Sequence, residues 1–519
     1  MKTGLLGRKL GHSYSPQIHA YLGDYPYELF EREPEDVEDF LKNGDFTAIN
    51  VTIPYKKTVI PYCTLTETAK YMGSVNTIVR QPDGTLLGHN TDYFGFTSMV
   101  KKSGLEVAGK KCLVLGSGGA SVTAVAVLKE MGAKVVIISR SGENNYENLH
   151  RHADAAVICN CTPVGMYPHN GVSPLNLDLF PRLEGVLDMI YNPARTQLLM
   201  DAADRGLIAE NGLWMLVSQA KEAAEWFLNE KLPDSLIQFV YDKMRQQMKN
   251  IILIGMPGCG KSTIGKLLAE TLGKTFVDAD EELAKTYGTD IPTIFATEGE
   301  SGFRTKETAV LENLGKKAGL VIATGGGCVT RSENYALLHQ NGTIFWLQRN
   351  LEKLPTEGRP LSQVTKIENM YRFRKRLYEV FADHIIDNNR TPEQAAAVDL
   401  YAIRRFLQSD LAEELRKAER VEREYRFSLL VNAADYYTDV DAGEQVMLQG
   451  VVDLFAETAE GITVVDFKTD KVTEETLASV AEGYALQVQT YAEALSRIYQ
   501  QSVKAKYLYF FRINRFVQV

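Results

Sequence analysis

The stretch that most limits how this chain can fold is IILIGMPGCGKST, residues 251–263. An apolar run leads directly into G-x-x-x-x-G-K-S/T, from Gly255 to Ser262, and an amphipathic helical pattern follows. The spacing demands a buried strand, a tight glycine loop and the first turn of a helix. In that order, backbone N–H groups of the loop converge on an anion. Gly255, Gly258 and Gly260 form the loop, Lys261 reaches the outer phosphates of a nucleotide, and Ser262 is placed to ligate Mg²⁺ beside Thr263. The segment therefore predicts a parallel α/β domain that binds ATP with Mg²⁺.

A second strand–turn–helix–strand lies upstream in KKCLVLGSGGASVTAVAVLKEMGAKVVIISRS, residues 110–141. Gly116, Gly118 and Gly119 allow a pyrophosphate to approach a helix N-terminus, and the third fingerprint position is Ser121. The next strand ends in Ser139-Arg140-Ser141, where an NAD-binding chain would place Asp or Glu. Arginine there suits a 2′-phosphate, so the expected dinucleotide is NADP(H). Taken alone, Arg140 reads equally as a solvated charge at a strand end.

With 519 residues, 45% hydrophobic and 24% charged, the chain is long enough for two to four globular domains. A net charge of −9 gives no general signal for nucleic acid or membrane binding. There is no leader-like apolar start and no run of about eighteen apolar residues, so the reading is cytoplasmic, with no membrane partner. The six cysteines show no CxxC spacing and read as reduced small residues. Residues 406–519 carry 12 Lys+Arg against 19 Asp+Glu and hold most of the excess negative charge. Oligomeric state has no sequence signal.

Seven motifs appear in order across residues 1–245: GHSYSPQIHA, NVTIPYK, GSVNT, GHNTDYFG, NCTPVGM, DMIYNP and NGLWMLVSQA. Together they closely resemble shikimate dehydrogenase. The resemblance implies a substrate domain over 1–100, with helices returning over about 212–245, and an NADP-binding Rossmann domain over 101–211. It implies that Lys56 donates the proton in reducing 3-dehydroshikimate and that Asp92 holds it charged. Ser13 and Ser15 would bind the substrate carboxylate, Thr52, Asn76 and Gln219 its hydroxyls, and Gly212 and Met215 would border the nicotinamide.

Downstream of the phosphate loop come FVDAD (276–280), GESGFRTKE (299–307), TGGG (324–327), GRPLS (358–362) and FRKRLYEVFAD (373–383). This set is similar to shikimate kinase over about 250–405. Period-two spacing puts Asp278 and Asp280 on one strand face. By the resemblance Asp278 helps hold Mg²⁺, while Asp280, Arg304 and Arg374 grip shikimate. Gly326 and Gly327 let the backbone approach the ring, and Arg359 neutralises charge on the transferred phosphoryl group. Asp280 is also the expected proton acceptor.

The remainder, 406–519, reads as a charge-dense helix over 411–424, two short strands, a helix and a last strand. VMLQGVVDLFAETAEGITVVDFKTDK (446–471) is a hairpin turning at TAEG, which sets Asp453 opposite Asp466. Like charges so placed are destabilising unless a cation lies between them. Gln487 and Tyr491 share a helix face. Asp453, Asp466-x-Lys468 and Gln487-x-x-x-Tyr491 resemble part of the RecB-like nuclease end of the AddA helicase–nuclease subunit, over 410–519. That implies two acids on Mg²⁺ and Lys468 beside the attacking water. The family's metal-ligating histidine has no counterpart, because no histidine follows His384.

The expected architecture is thus α/β multidomain: a substrate domain with a Rossmann domain, a P-loop NMP-kinase-like parallel sheet, and a small α+β nuclease-like segment. The expected function is two consecutive steps on small-molecule substrates, 3-dehydroshikimate and shikimate. The rival reading is a DNA-processing nuclease carrying metabolic passengers, or a tail that serves as an interaction module. Any contact with DNA would run through the tail.

Overall fold

The computed structural model describes all residues except 12, 355–366, 390–408, 419, 433–443, 459, 469–471, 474–475, 511–512 and 514. The chain divides into two compact units, Met1–Ala395 and Ala396–Val519. Among the described residues no helix is long and apolar enough to cross a membrane.

Among its described residues the first unit contains three sheets. The N-terminal one has six strands in the order Tyr27–Glu31, Thr3–Gly7, Ala48–Val51, Thr77–Arg80, Leu86–His89, Thr64–Leu65. Its core gathers Leu6, Phe30, Phe40, Leu41, Ile49 and Ile78. The second sheet is wholly parallel, ordered Ile208–Asn211, Gly185–Asp188, Val157–Asn160, Lys111–Leu115, Lys134–Ile138. The chain leaves Lys111–Leu115 for one side and later returns on the other. That reversal opens a crevice at the carboxyl ends of the strands, where Gly116 lies.

The third sheet is also parallel, ordered Thr275–Asp278, Leu320–Ala323, Asn250–Ile254, Gly342–Gln348, His384–Asp387. Asn250–Ile254 and Leu320–Ala323 are buried along their whole length. Such strands are covered on both faces, so they read as unbroken apolar runs rather than alternating ones. Asp278 ends its strand, and the phosphate loop, the triple glycine, Arg349 and Asn388 follow the carboxyl ends of the others.

Little chain separates the dehydrogenase-like and kinase-like halves. Helix Ser235–Met248 runs to Lys249, and strand Asn250–Ile254 begins at the next residue. Met244 and Met248 are buried in a cluster with Val217 and Phe227, against which Ala318 of the kinase-like half packs. Lys274 caps the helix end by donating to the carbonyls of Gln246, Gln247 and Lys249 at 2.9, 3.0 and 2.9 Å. Burial pushes its ammonium down to about 8.

Among its described residues the second unit has one five-stranded sheet, ordered Arg420–Asn432, Gln445–Thr458, Gly461–Lys468, Val503–Phe510, Arg515–Gln518. Two apolar clusters include residues of helix Leu477–Tyr499 and of helix Asp410–Arg416 respectively. The helix expected over 411–424 is shorter: it ends at Arg416, and Arg420–Asn432 is a strand of 13 residues. Val421, Tyr425, Phe427, Leu429 and Val431 recur at even spacing, and that period prevails over local charge density. The strands around the hairpin are therefore long, not short. Its register is as expected, with Thr458 opposite Gly461 and Leu454 opposite Val465.

Candidate active sites

Lys56 and Asp92 meet as an ion pair, Nζ to Oδ2 at 2.6 Å, on half-buried side chains. Asp92 is the first residue of helix Asp92–Ser103, where the exposed N–H groups favour a carboxylate. Asn76 Nδ2 donates to Asp92 Oδ1 at 3.0 Å, and Thr91 N donates to Asn76 Oδ1 at 2.8 Å. Thr91 Oγ1 reaches Gln219 Oε1 at 3.2 Å. Gly95 permits this arrangement. A Cβ there would lie 2.7 Å from the Met215 carbonyl oxygen and 2.9 Å from Gln219 Cβ, so only glycine lets the two helices approach so closely.

A second polar line leads from Asn76 toward Ser15. Asn50 Nδ2 donates to the Asn76 carbonyl at 3.2 Å, and Tyr27 Oη donates to Asn50 Oδ1 at 2.8 Å. Tyr27 also hydrogen-bonds Ser15, whose N–H donates to Ser13 Oγ at 3.2 Å. Beneath them His19 stacks on Tyr27 with centroids 4.0 Å apart, and burial pushes its imidazole down to about 3, leaving it neutral. Thr52 is half-buried just after strand Ala48–Val51 and donates its N–H to the Leu6 carbonyl at 2.9 Å. Asn50 and Thr91 stand within motifs already quoted, yet they were not singled out. Tyr27 has no motif to mark it.

At the dinucleotide turn Gly116 has φ 104°, and a Cβ would come 3.1 Å from Thr162 Cγ2. A Cβ at Gly118 or Gly119 would meet nothing within 4 Å, so the N-terminus of helix Gly119–Glu130 faces open space that suits a pyrophosphate. Ser121 is buried and donates to the Gly118 carbonyl at 2.6 Å. Arg140 is exposed two residues beyond strand Lys134–Ile138. Gly212 precedes helix Leu213–Leu228 and must be glycine, because a Cβ would fall 2.1 Å from the Met189 carbonyl oxygen. Met215, one turn further on, is half-buried.

The phosphate loop opens on a cavity of about 1150 Å³. Gly255, Gly258 and Gly260 all have positive φ, as the loop requires. Lys261 Nζ is folded back on the carbonyls of Gly255 and Met256 at 3.0 and 3.1 Å. Ser262 Oγ donates to Asp278 Oδ2 at 2.5 Å, and Thr263 lines the same cavity. These hard oxygen donors fit Mg²⁺, which takes few protein ligands and completes its shell with phosphate and water.

Asp278 and Asp280 do not share a strand face. The strand stops at Asp278, which caps helix Ala279–Tyr287 by accepting the N–H groups of Asp280 and Glu281. Asp280 reaches the cavity from the first helical turn instead. Burial, with Glu307 and Asp278 nearby, pushes its carboxyl up to about 6. Arg304 is buried and pairs with Glu307 at 2.7 Å and Glu300 at 3.3 Å. Burial pushes the Glu307 carboxyl up as well, against the opposing pull of Arg304. Arg374 is buried and donates to the Gly326 carbonyl at 3.1 Å, whereas Lys375 and Arg376 are exposed. Tyr378 Oη also donates to that carbonyl.

The triple glycine has three separate reasons. A Cβ at Gly325 would strike Glu307 Oε1 and Asp280 Oδ1, at 2.4 and 2.9 Å. One at Gly326 would strike Pro257 of the phosphate loop at 2.6 Å, and one at Gly327 the Arg304 guanidinium at 2.0 Å. Gly325, Glu307, Tyr378 and Arg349 were not foreseen. Glu307 had a signal, since it lies one helical turn after Arg304. Arg359 lies outside the described residues.

In the second unit Gly461–Lys468 is a central strand, buried from Gly461 through Asp466. Asp453 and Asp466 hydrogen-bond each other, and Asp453 Oδ2 accepts from Phe467 N at 2.8 Å. Lys468 Nζ lies 2.6 Å from Asp466 Oδ2 and donates to Gln487 Oε1 at 3.2 Å. Gln487 Nε2 donates to Tyr491 Oη at 2.6 Å. The Lys468 ammonium also sits over the Tyr484 ring, 3.8 Å from its centroid. Burial raises the Asp466 carboxyl, Asp453 adds to the rise, and Lys468 opposes it. Among the described residues no group of three or more His, Cys, Asp or Glu could hold a metal ion.

These folds and sites define a dinucleotide-dependent oxidoreductase joined to a phosphate-loop kinase. The family model for the shikimate dehydrogenase substrate binding domain matches residues 5–78, and that for shikimate kinase matches 257–404. The PD-(D/E)XK nuclease superfamily model matches 346–517 and so overlaps the kinase match. Shikimate dehydrogenase (NADP(+)) of Clostridium perfringens is 33% identical over 265 residues, spanning 97% of that protein and 47% of this chain. The Clostridium botulinum enzyme is 34% identical over 250 residues, spanning 96% of that protein and 44% of this chain. By these relatives the chain belongs to the shikimate dehydrogenase family. Among solved structures, shikimate dehydrogenase 1 from Peptoclostridium difficile is 34% identical, covering 47% of this chain and 98% of that one, with a TM-score of 0.44. A chorismate mutase/shikimate 5-dehydrogenase fusion protein from Clostridium acetobutylicum is 35% identical, covering 47% of this chain and 96% of that one, with a TM-score of 0.45.

Proposed function

We propose that this chain reduces 3-dehydroshikimate to shikimate with NADPH, then phosphorylates shikimate with ATP and Mg²⁺ to shikimate 3-phosphate. When bound, NADPH supplies the hydride and Mg²⁺-ATP the phosphoryl group. The observation that carries the reading is the presence, in one chain, of both the Lys56–Asp92 pair and the Ser262–Asp278–Asp280–Arg304 set. The product of the first site is the substrate of the second.

In the first site Lys56 would give its proton to the ketone oxygen, and Asp92 keeps the ammonium aimed. Ser13 and Ser15 hold the substrate carboxylate. Thr52, Asn76 and Gln219 hold its hydroxyls. Gly212 and Met215 border the nicotinamide, and Arg140 takes the 2′-phosphate. In the second site Gly258, Gly260, Lys261 and Thr263 hold the nucleotide phosphates, while Ser262 and Asp278 hold the cation. Arg304 and Arg374 fork onto the shikimate carboxylate. Gly326 and Gly327 admit the ring, Asp280 accepts the hydroxyl proton, and Arg359 offsets charge on the phosphoryl group.

The tail is a nuclease-like module of unknown activity, and any DNA contact would pass through it. Purified full-length protein given 3-dehydroshikimate, NADPH, ATP and Mg²⁺ should form shikimate 3-phosphate, followed by mass spectrometry. Its absence would remove the two-step reading.

A further inference from the structure

The two catalytic halves of the first unit meet through a polar seam. On the dehydrogenase side are Asn170 and the loop Tyr191-Asn192-Pro193-Ala194-Arg195-Thr196. On the kinase side is the turn from His339 to Gly342, between helix Glu333–His339 and strand Gly342–Gln348. Arg195 N donates to the Gln340 carbonyl at 2.9 Å. Arg195 Nη1 donates to the carbonyls of His339 and Gly342 at 2.6 and 3.0 Å. Ala194 N donates to Asn341 Oδ1 at 2.8 Å, and Asn170 Nδ2 to Gln340 Oε1 at 2.6 Å. Gln340 and Asn341 are buried, so these bonds are shielded from competing water.

Asn341 is fixed from its own side. Its carbonyl accepts from Asn250 N at 2.8 Å, and its side chain donates to the Gly315 carbonyl at 3.1 Å. From there the contacts lead into the dehydrogenase. The Ala194 carbonyl accepts from Asn211 Nδ2 at 2.7 Å, and Asn211 Oδ1 accepts from Leu213 N at 3.0 Å. That last bond caps helix Leu213–Leu228, which carries Met215 and Gln219 and starts just after Gly212. The far end of the loop is pinned as well: Thr196 Oγ1 donates to buried Asp188 Oδ2 at 2.7 Å. Tyr191 meets Tyr14, the residue between Ser13 and Ser15, edge to face at 6.1 Å.

We propose that the kinase turn 339–342 is a positioning element of the dehydrogenase, with Asn341 and Arg195 as positioning residues that hold the N-terminus of helix Leu213–Leu228 against the nicotinamide. The kinase half thereby serves the oxidoreductase reaction without touching its substrates. The inference rests on the reading of Gly212 and Met215 as the nicotinamide border. It goes beyond that reading by making the quality of the border depend on the partner domain.

Steady-state kinetics of the full chain test it. Arg195→Ala removes both guanidinium bonds to the kinase turn and leaves the backbone in place. Hydrogen bonds of this kind contribute modestly, so the expected result is a roughly 3- to 10-fold rise in the KM for NADPH. The kinase kcat and its KM for ATP should stay unchanged, and Arg195→Lys should recover most of the loss. Unchanged dehydrogenase constants in Arg195→Ala would overturn the proposal. So would a parallel loss of both activities and of Tm, since that marks a purely structural seam. Met215→Glu separates this inference from the reading beneath it. If Met215→Glu raises the KM for NADPH while Arg195→Ala does not, the border reading stands and the positioning role fails. If neither variant moves it, both fail.

Discussion

Lys56 and Asp92 are locked at 2.6 Å, and the second oxygen of the same carboxylate is held by Asn76 at 3.0 Å. Asp92 is thereby oriented by its helix N-terminus and by a side-chain amide at once. An ammonium fixed in this way is preorganised to deliver a proton, whereas a surface pair of the same residues would wander. Lys56→Ala should lower dehydrogenase kcat by roughly 10²- to 10⁴-fold, the usual contribution of a placed acid, and leave kinase activity intact. A kcat within about threefold of the parent would end the proton-donor assignment.

The carboxyl of Asp280 makes two opposite demands. Burial raises it from 3.8 to about 6, so the ionised form needed to accept a proton prevails only above that pH. Kinase kcat/KM should therefore fall as pH drops through about 6. For stability the sign is reversed. The folded state binds this proton more tightly than the unfolded chain does, so folding is penalised as pH rises from about 4 to about 6 and stays penalised above. At about 1.4 kcal/mol per unit the cost at neutral pH is on the order of 3 kcal/mol. Asp280→Asn should thus abolish phosphorylation and raise the Tm at pH 7, a separation of function from stability. A lower Tm by calorimetry would show that the carboxylate is a net stabiliser and that this sign is wrong.

The sequence carried the sites more clearly than the way they are assembled. Strand–glycine–helix units announce themselves because each glycine answers a local backbone or steric need, as Gly116 and Gly260 do. The hairpin at 458–461 was legible because period-two burial admits one register and a slip would invert every side chain. Asp280 was misread because the same spacing was carried one residue past the strand end, into a helix. The strand Arg420–Asn432 was hidden by charge, since Glu422, Arg423 and Glu424 look helical until the alternation around them is counted. Arg195 and Asn341 left no trace at all. They are far apart in sequence, neither lies in a chemical motif, and their value exists only where two domains meet.

Arg140 is exposed just past its strand, the place where a dinucleotide ribose would lie by this fold. A guanidinium there matches a 2′-phosphate and offers nothing comparable to a bare 2′-hydroxyl. Arg140→Asp should raise the KM for NADPH by roughly 10- to 100-fold, as expected for loss of a charge-assisted contact plus like-charge repulsion. The KM for NADH should change far less. Equal losses for the two cofactors would sink the assignment.

In the second unit, Asp466 and Lys468 neutralise each other inside the sheet, with Gln487 and the Tyr484 ring closing around the ammonium. Removing one partner leaves the other buried and uncompensated, which typically costs about 3–5 kcal/mol. Replacing both with apolar residues of similar volume is often neutral. Asp466→Ala should therefore destabilise this unit more than the double variant Asp466→Leu/Lys468→Met, read as protection of the Gly461–Lys468 amides from hydrogen exchange. Both should leave the dehydrogenase and kinase rates unchanged. The same proteins, incubated with single-stranded DNA and Mg²⁺ or Mn²⁺, test catalysis. Asp453 and Asp466 converge there, and a parent that cuts no faster than Asp466→Ala would leave the pair without a catalytic role. Metal-dependent cleavage present in the parent and lost in Asp466→Ala would instead make the pair of Asp453 and Asp466 a working cation site, with Lys468 freed from its ion pair to act on the attacking water.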